Sequence, residues 1–471
     1  MEEAIVRALP KVELHVHLDG SVPIEWLQMR ARARGCSAPT RAQLHDMKRS
    51  VVAVNPTNAV ERGKNWGVFD LVGSFLQTRE EVTNGMAAVC EALAAEGVIL
   101  AEVRFCAALH TREGLSEREV VEAAVAGFER GGLAGGVLLC ALRSYDVAHA
   151  HATLALAREF QGKGVVGMDI AGDEGSYPLE PFAPVLREAV AAGVATTVHA
   201  GEWPGRATVE NIRLALDIGV NRIGHAVTLR EEPELLKRAG VAGTFVECCM
   251  TANVKPGVPG RVQSYTEHPI REMVAAGVRC CVCSDNLLLS GDVDRFASPN
   301  HEHARLVSEL GFTFPQVAEL IMNGIEAAFI TSEVVRDSLR RVAREGIDAA
   351  VSASSPASAP LPLRCSVRRD RARIKVDSRT ILAGVLAEPA RPERTALLIH
   401  PWSKLGGCKE VLANLGHRLA RDAATAALCI DLRGVGESTG TSTFAGHDEA
   451  EDVRAAVEWL KARYPHLPLF V

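Results

Sequence analysis

The chain has 471 residues, of which 47% are hydrophobic and 23% are charged. This composition is close to the average for globular domains and excludes an intrinsically disordered chain, which would have too little apolar surface to bury. The 52 basic and 58 acidic residues give a net charge of −6, so we expect no nucleic-acid partner, because nucleic-acid-binding domains normally carry a clustered basic excess.

The sequence also indicates the compartment. We find no apolar run long enough to span a bilayer and no basic and then apolar leader at the amino terminus, so we expect no membrane partner. The 12 cysteines include the neighbours Cys248 and Cys249 and the neighbours Cys280 and Cys281, which suit a disulfide framework poorly. We therefore expect free thiols in a reducing, cytoplasmic environment. The oligomeric state stays open.

Residues 1–348 alternate between short β-branched runs and stretches with helical periodicity, such as 116–131 and 207–218. Apolar strands that alternate with helices predict an α/β fold, and eight such strands in this length predict a (β/α)8 TIM barrel. The segment 21–97 is long for one crossover, so we expect extra helices there, capping the barrel mouth. The predicted strands span residues 12–17, 98–105, 136–143, 165–170, 194–200, 220–227, 242–249 and 278–284.

Polar residues follow the carboxyl ends of several predicted strands, where barrel enzymes place their chemistry. The first strand ends in His15 and His17, two residues apart, so both side chains point to the same face, as two neighbouring ligands of a divalent metal require. His199 and Asp285, at the ends of the fifth and eighth strands, would complete a set of nitrogen and oxygen ligands with one position left for water. The sequence therefore predicts a metal site and not a chance pair of histidines.

A second His-x-His pair, His301 and His303, follows Pro299 in a polar segment. We interpret it as a pair of solvent-exposed histidines in a loop or at the start of a helix.

Five motifs resemble, in this order and at this spacing, those of the adenosine deaminases, which are (β/α)8 zinc hydrolases of the amidohydrolase group. The resemblance covers roughly residues 5–345. The motifs are LPKVELHVHLDGS at 9–21, DIAGDE at 169–174, HAGE at 199–202, RIGHAV at 222–227 and SDN at 284–286.

The resemblance implies one zinc ion per barrel, with ligands that map onto His15, His17, His199 and Asp285. Zinc can lower the pKa of its bound water to about 7, which would supply a nucleophile for C6 of adenine at neutral pH. Asp285 would bind the metal through one oxygen and accept a hydrogen bond from the water with the other.

Other residues of the motifs map onto the remaining roles. Glu202 corresponds to the glutamate that protonates purine N1, and we expect burial or hydrogen bonding to keep it protonated; the alternative is a surface salt bridge. His225 corresponds to a catalytic histidine that would orient or deprotonate the water. Gly172 corresponds to the glycine whose amide meets N3, and Asp19 to the residue that contacts the ribose 5′-hydroxyl. His17 would also border the substrate.

Asn286 departs from the family pattern, in which many members carry a second aspartate that bonds purine N7. N7 is an acceptor and needs a donor, which an aspartate supplies only when protonated. An asparagine amide donates without that condition, so we expect Asn286 to preserve contact with N7.

The resemblance implies hydrolytic deamination of adenosine and 2′-deoxyadenosine to the corresponding inosines and ammonia. Related branches act on nucleotides, but Asp19 would repel a 5′-phosphate. Adenine, an N6-substituted adenosine or AMP is the alternative substrate, and a non-catalytic nucleoside-binding scaffold is the alternative of another class. The cytidine-deaminase mechanism is excluded because its P-C-x-x-C pair is absent.

The composition changes at 349–364, where small residues, serine and proline predict a linker. Residues 365–471 resemble the amino-terminal part of an α/β-hydrolase, with a strand and a Gly-Gly loop at 395–407, a strand and a loop at 426–440 and a helix at 448–460. We expect an incomplete segment without a full catalytic triad.

A G-x-S-x-G pattern, Gly436 to Gly440, lies in this segment. A true nucleophile elbow joins a strand directly to a helix, whereas this pattern continues a loop, and little sequence follows for an acid and a histidine. We interpret Ser438 as a structural serine of the loop.

Overall fold

Eight parallel strands form the barrel in the computed structural model, hydrogen-bonded in chain order, and each overlaps a strand predicted from the sequence. The strands are β1 (Lys11–His17), β2 (Val98–Phe105), β3 (Ala134–Leu142), β4 (Val165–Ala171), β5 (Thr196–Ala200), β6 (Arg222–His225), β7 (Phe245–Cys248) and β8 (Arg279–Val282). The strands are apolar along most of their length because helices cover the outside of the sheet and side chains fill the inside. The (β/α)8 prediction is thus confirmed.

The structure describes residues 2–37, 39–52, 67–258, 260–291, 296–353, 368–389, 391–399, 412, 415–416, 419–420, 424–435, 438–441 and 447–470. Within these residues, no helix is both long enough and apolar enough to cross a membrane.

Helices alternate with the strands, and extra helices fill the long segment before β2 as expected. The helices are α1 (Glu2–Ala8), α2 (Ile24–Ala33), α3 (Arg41–Val52), α4 (Gly67–Gly73), α5 (Arg79–Ala95), α6 (Glu117–Gly131), α7 (Val147–Phe160), α8 (Ala183–Ala191), α9 (Arg206–Ile218), α10 (Pro233–Ala242), α11 (Met250–Asn253), α12 (Ile270–Ala275), α13 (Pro299–Ser308), α14 (Phe314–Ala327) and α15 (Glu333–Ala353).

Local sequence sets the ends of α6. Ser116 Oγ accepts a hydrogen bond from the Glu119 backbone N–H at 3.3 Å, and Glu119 Oε2 accepts one from the Ser116 N–H at 2.9 Å. This reciprocal cap satisfies two N–H groups at the start of the helix. At the other end Gly132 adopts a left-handed conformation with φ of 71°, which costs glycine little and stops the helix.

The barrel is closed at its mouth by the backbone of Asp285. The His17 N–H donates to the Asp285 carbonyl and the Asp285 N–H donates to the His15 carbonyl, each at 2.8 Å. Asp285 follows β8 with φ of 62°, in the left-handed region that aspartate tolerates better than most residues. The backbone bonds that join the first strand to the last therefore lie at predicted metal ligands.

The chain divides into two compact units, residues 1–356 and 357–471. Helix α15 continues through Ala353, so residues 349–353 of the predicted linker are helical, because the alanines there are strong helix formers. The rest of the predicted linker, through residue 364, lies outside the described residues.

The second unit contains a five-stranded mixed sheet in the order β13-β11-β12-β10-β9, where β9 is Arg368–Lys375, β10 is Ile381–Glu388, β11 is Arg394–Ile399, β12 is Thr425–Ile430 and β13 is Leu469–Phe470. Helix α16 (His447–Arg463) overlaps the predicted helix, and β11 and β12 overlap the predicted strands. The Gly-Gly loop, residues 400–407, lies outside the described residues. The resemblance of this unit to an α/β-hydrolase stays a prediction.

Ser438 connects the loop after β12 to strand β10. Its hydroxyl donates to the Asp431 carbonyl at 2.8 Å and accepts the Ala383 backbone N–H at 2.8 Å. The hydroxyl thus both donates to and accepts from the backbone. Gly436 and Glu437 of the G-x-S-x-G pattern lie outside the described residues.

We expect the Ser438→Ala variant to destabilise the second unit by about 1–3 kcal/mol, because the Ala383 N–H and the Asp431 carbonyl lose their partner. Faster hydrogen exchange in β10, followed by mass spectrometry, would show this, and any ester hydrolysis should be unchanged. Ser378→Ala, at an exposed position of the preceding turn, is the control. Loss of an esterase activity without faster exchange would contradict the structural role.

Candidate metal centre and active site

Three imidazole rings and a carboxylate meet at the carboxyl ends of β1, β5 and β8. His17 Nε2 is 3.2 Å from His199 Nε2. Asp285 Oδ1 is 3.4 Å from His17 Nε2 and 3.6 Å from His15 Nε2. The structure therefore brings the four predicted metal ligands to one place.

The atoms of this cluster fit a divalent metal. His15 Nε2 is buried and has no hydrogen-bond partner among the described residues, which is costly unless a cation uses its lone pair. Burial lowers the pKa of His15 and of His17 well below the usual range, so both rings are neutral and can act as ligands. Imidazole nitrogens with a carboxylate oxygen form a donor set typical of zinc and similar ions.

Two of the ligand rings each contact a different carboxylate through Nδ1. His15 Nδ1 donates to Glu247 Oε2 at 2.7 Å, and His199 Nδ1 lies 3.1 Å from Asp169 Oδ2. Arg104 joins the two carboxylates, because its Nη1 donates to Asp169 at 2.7 Å and its Nη2 donates to Glu247 at 2.8 Å. Carboxylates in this position fix the orientation and tautomer of a metal-binding histidine.

The network continues below the cluster through Arg222. Its Nε donates to Glu247 Oε1 at 2.5 Å and its Nη2 donates to Glu102 Oε2 at 2.6 Å. Burial alone would raise the pKa of Glu247, but Arg104 and Arg222 outweigh burial and lower it to about 2. The charges of this network are thus paired, as buried charges must be.

This network of buried charges was not among the sequence-based predictions. Glu102, Arg104, Asp169 and Glu247 each lie in an otherwise apolar strand and are fully buried. Ionisable residues are almost never fully buried unless they are paired. Charged residues within otherwise apolar strands are therefore the sequence pattern from which this network could have been predicted.

Glu202 lies beside His225 at the edge of the cluster. Glu202 Oε2 is 3.9 Å from His225 Nε2, and Glu202 Oε1 accepts a hydrogen bond from Arg261 Nη2 at 3.1 Å. Burial alone would raise the pKa of Glu202, but His225 and Arg261 outweigh burial and lower it to about 2. His225 and Arg261 thus favour the ionised form of Glu202, and the expectation that burial or hydrogen bonding keeps it protonated stays a prediction.

Two residues outside the predicted set hold the loop of Glu202. Arg261 also donates to the Glu202 backbone carbonyl at 2.9 Å and packs over the Trp203 ring at 4.6 Å. Glu174 accepts the backbone N–H groups of Gly201 and of Glu202, each at 2.8 Å. Glu174 belongs to the DIAGDE motif, so this motif fixes the position of the neighbouring HAGE motif.

The predicted substrate contacts lie on the loops after β1, β4 and β8. Gly172 follows β4 with φ of 101°, a conformation that favours glycine. Burial raises the pKa of Asp19 to about 6. Asn286 packs against Gly20, where any side chain would overlap its amide, so the loops that carry Asp19 and Asn286 interlock.

The second His-x-His pair lies on α13 and is not a pair of exposed histidines. His303 is buried, and its Nδ1 donates to the Pro299 carbonyl at 2.8 Å. Glu302 between the histidines is buried beside Thr251. The expectation was wrong for His303 because this residue faces the inner side of an amphipathic helix.

Comparison with known proteins places the first unit among deaminases. Residues 10–345 match the family described as adenosine deaminase. The adenosine deaminase of Enterococcus faecalis is 32% identical over 71% of this chain and 96% of its own length.

Solved structures resemble the same part of the chain. An amidohydrolase from Burkholderia ambifaria with bound zinc has a TM-score of 0.63 and 25% identity, over 74% of this chain and 94% of its own. The N6-mAMP deaminase of Arabidopsis has a TM-score of 0.61 and 26% identity, over 72% and 99%. Together with the donor set, the zinc-bound neighbour supports a divalent metal at the cluster.

We expect the Asp169→Asn variant to lower metal affinity by about 10- to 100-fold, because the uncharged amide is a weaker acceptor for the His199 Nδ1–H and its NH2 group can only donate. Competition with a chelator, followed by metal analysis, measures the affinity. Asp217→Asn, which removes an exposed ion pair with Arg238, is the matched control and should leave affinity unchanged. Equal metal affinities in the two variants would refute the orienting role.

Proposed function

The chain belongs to the adenosine deaminase family, and we propose that it hydrolyses adenosine and 2′-deoxyadenosine to the corresponding inosines and ammonia. The observation that carries this proposal is the convergence of His15, His17, His199 and Asp285 with Glu202 and His225 at the mouth of one barrel. Family membership makes the chain a hydrolytic deaminase, and the nucleoside is the substrate that the mouth of the barrel suits best.

We assign one zinc ion to the four ligands. When bound, zinc would supply a water whose pKa is lowered to about 7. The neutral rings of His15 and His17 offer lone pairs without a prior loss of protons, and Glu247 and Asp169 hold His15 and His199 in the ligating orientation.

Glu202 moves the proton that the reaction requires. Attack of water at C6 breaks a water O–H bond and forms a C–O bond, and N1 must gain a proton when the ring loses its aromaticity. An ionised Glu202 can accept the proton from the water and deliver it to N1. The new C6 hydroxyl then gives its proton to the amino group and becomes the carbonyl of inosine, while the C–N bond breaks and ammonia leaves.

His225 faces the same volume as Glu202 and orients the attacking water. Gly172, Asn286 and Asp19 would contact N3, N7 and the 5′-hydroxyl of the nucleoside, in that order. His17 would border the base. The interlocked loops after β1 and β8 favour this arrangement, because the Gly20 backbone contacts the Asn286 side chain and so joins the loops that carry Asp19 and Asn286.

The similarity to an N6-mAMP deaminase makes a nucleotide the second candidate substrate. Asp19 opposes it, since a buried carboxylate where the 5′ group is expected would repel a phosphate. N6-substituted adenosine and free adenine meet no such repulsion.

We expect Glu202→Gln to lower kcat by about 10²- to 10⁴-fold, because the amide can still accept from Arg261 but cannot carry a proton. Ammonia release and the ultraviolet shift from adenosine to inosine measure turnover, and metal analysis confirms that the ion is retained. Glu188→Gln on the surface of α8 is the control. A variant with the turnover of the parent protein would remove Glu202 from the mechanism.

A substrate panel tests the role of Asp19. We expect the parent protein to have a higher kcat/KM for adenosine than for AMP, and Asp19→Asn to shift this ratio towards AMP because a repulsive charge is lost. Adenine and N6-methyladenosine complete the panel. A preference for AMP in the parent protein, or a ratio that Asp19→Asn leaves unchanged, would contradict this assignment.

A further inference from the structure

A line of hydrogen bonds behind His225 ends in a backbone amide. His225 Nδ1 is 3.1 Å from Asn253 Nδ2, and Asn253 Oδ1 is 3.2 Å from His268 Nε2. His268 Nδ1 accepts the N–H of Ile270 at 3.3 Å. The three side chains are buried, Asn253 ends α11, and Ile270 begins α12.

The direction of these hydrogen bonds is fixed from the Ile270 end. A backbone N–H can only donate, so His268 Nδ1 must accept and the proton of this neutral ring is on Nε2; burial lowers the pKa of His268 to about 3. The Asn253 atom that faces His268 Nε2 must then be the oxygen, and the atom that faces His225 must be the amide nitrogen. His225 Nδ1 therefore accepts, and a neutral His225 carries its proton on Nε2.

We propose that Asn253 and His268 are positioning residues that hold His225 as its Nε2–H tautomer, so that His225 donates a hydrogen bond to the attacking water and does not take the water's proton. The catalytic consequence rests on the proposed function, whereas the tautomer follows from the hydrogen bonds alone. Because His225 donates, the water's proton passes to Glu202, whose Oε2 is 3.9 Å from His225 Nε2.

The metal ligands show the opposite arrangement. His15 and His199 have carboxylates beside their Nδ1 atoms, which accept a hydrogen bond from Nδ1–H and leave Nε2 with a free lone pair. His225 lies within 4.8 Å of ligand atoms of His15 and Asp285, so distance alone would also admit it as a ligand. The amide nitrogen behind it excludes that role and assigns it to hydrogen-bond donation.

The Asn253→Asp substitution reverses this direction with little change in shape. A carboxylate accepts from both rings, so it moves the His225 proton to Nδ1 and turns Nε2 towards the water as an acceptor. We expect kcat for adenosine to fall by about 10²- to 10⁴-fold, the loss that a wrong histidine tautomer causes in a hydrolase, with metal content and KM nearly unchanged. Asn221→Asp is the matched control, because its Oδ1 only accepts, from the Thr196 N–H at 2.9 Å.

Nitrogen NMR of histidine-labelled, metal-loaded protein observes the tautomer directly. His225, assigned through its absence in His225→Gln, should show a pyridine-like Nδ1 and a pyrrole-like Nε2, and these should exchange identities in Asn253→Asp. His268→Gln should preserve both the tautomer and most of the turnover, because its amide can donate to Asn253, whereas His268→Ala should lose both.

Three outcomes would overturn the proposal. They are a pyrrole-like Nδ1 in the parent protein, an Asn253→Asp variant with unchanged NMR signals, and a reversed tautomer that leaves kcat intact. Failure of the proposed function would be seen differently, since a parent protein that does not deaminate adenosine can still show the predicted tautomer.

Discussion

The first unit is organised around one requirement: neutral imidazole rings must present lone pairs to the same buried volume. A neutral ring can present the lone pair of Nε2 only if Nδ1 carries the proton, and a fixed acceptor that receives a hydrogen bond from Nδ1–H stabilises that tautomer. Glu247 and Asp169 are those acceptors for His15 and His199. They are charged residues in the centre of a barrel, so Arg104 and Arg222 must be buried with them. The need to orient two metal ligands at the mouth of the barrel thus explains a set of buried charges that extends into the barrel interior.

The same logic separates the histidines of the mouth by function. Each of the four rings contacts at least one of the others, with centroids 4.6 to 5.2 Å apart, so spacing alone does not distinguish ligands from other histidines. The group that is hydrogen-bonded to Nδ1 does distinguish them. An acceptor at Nδ1 leaves the Nε2 lone pair free to bind a metal, whereas a donor at Nδ1 leaves a proton on Nε2 that can be donated to water. The cost of burying ion pairs is large, and it is offset only if every lone pair and proton is matched. Among the described residues of this network, Arg104 Nε and His15 Nε2 have no hydrogen-bond partner, and the His15 atom lies where the cation would bind.

The fold and the ligand set could be predicted because both depend on short-range patterns. A strand buried on both sides is a run of apolar residues, and His15 and His17 share a face because strand side chains alternate. Ser438 could be assigned to a loop for the same reason, from the residues on either side of it. Arg261 and the Asn253–His268 pair could not be predicted, since they depend on how the irregular segment after β7 folds back over its neighbours. The lowered pKa of Glu202 could not be predicted either, because His225 and Arg261, which come from two other segments, together outweigh burial.

Asp285 satisfies two independent demands. Its carboxylate faces the histidine cluster, while its main chain joins the first strand to the last in a left-handed conformation. Among residues with a side chain, asparagine and aspartate adopt that conformation most readily, and only aspartate also offers an anionic ligand. Metal coordination and backbone conformation therefore restrict the same residue position. An alanine there would disturb the closure of the barrel as well as the binding of the ion. Asparagine is the substitution that separates the two effects.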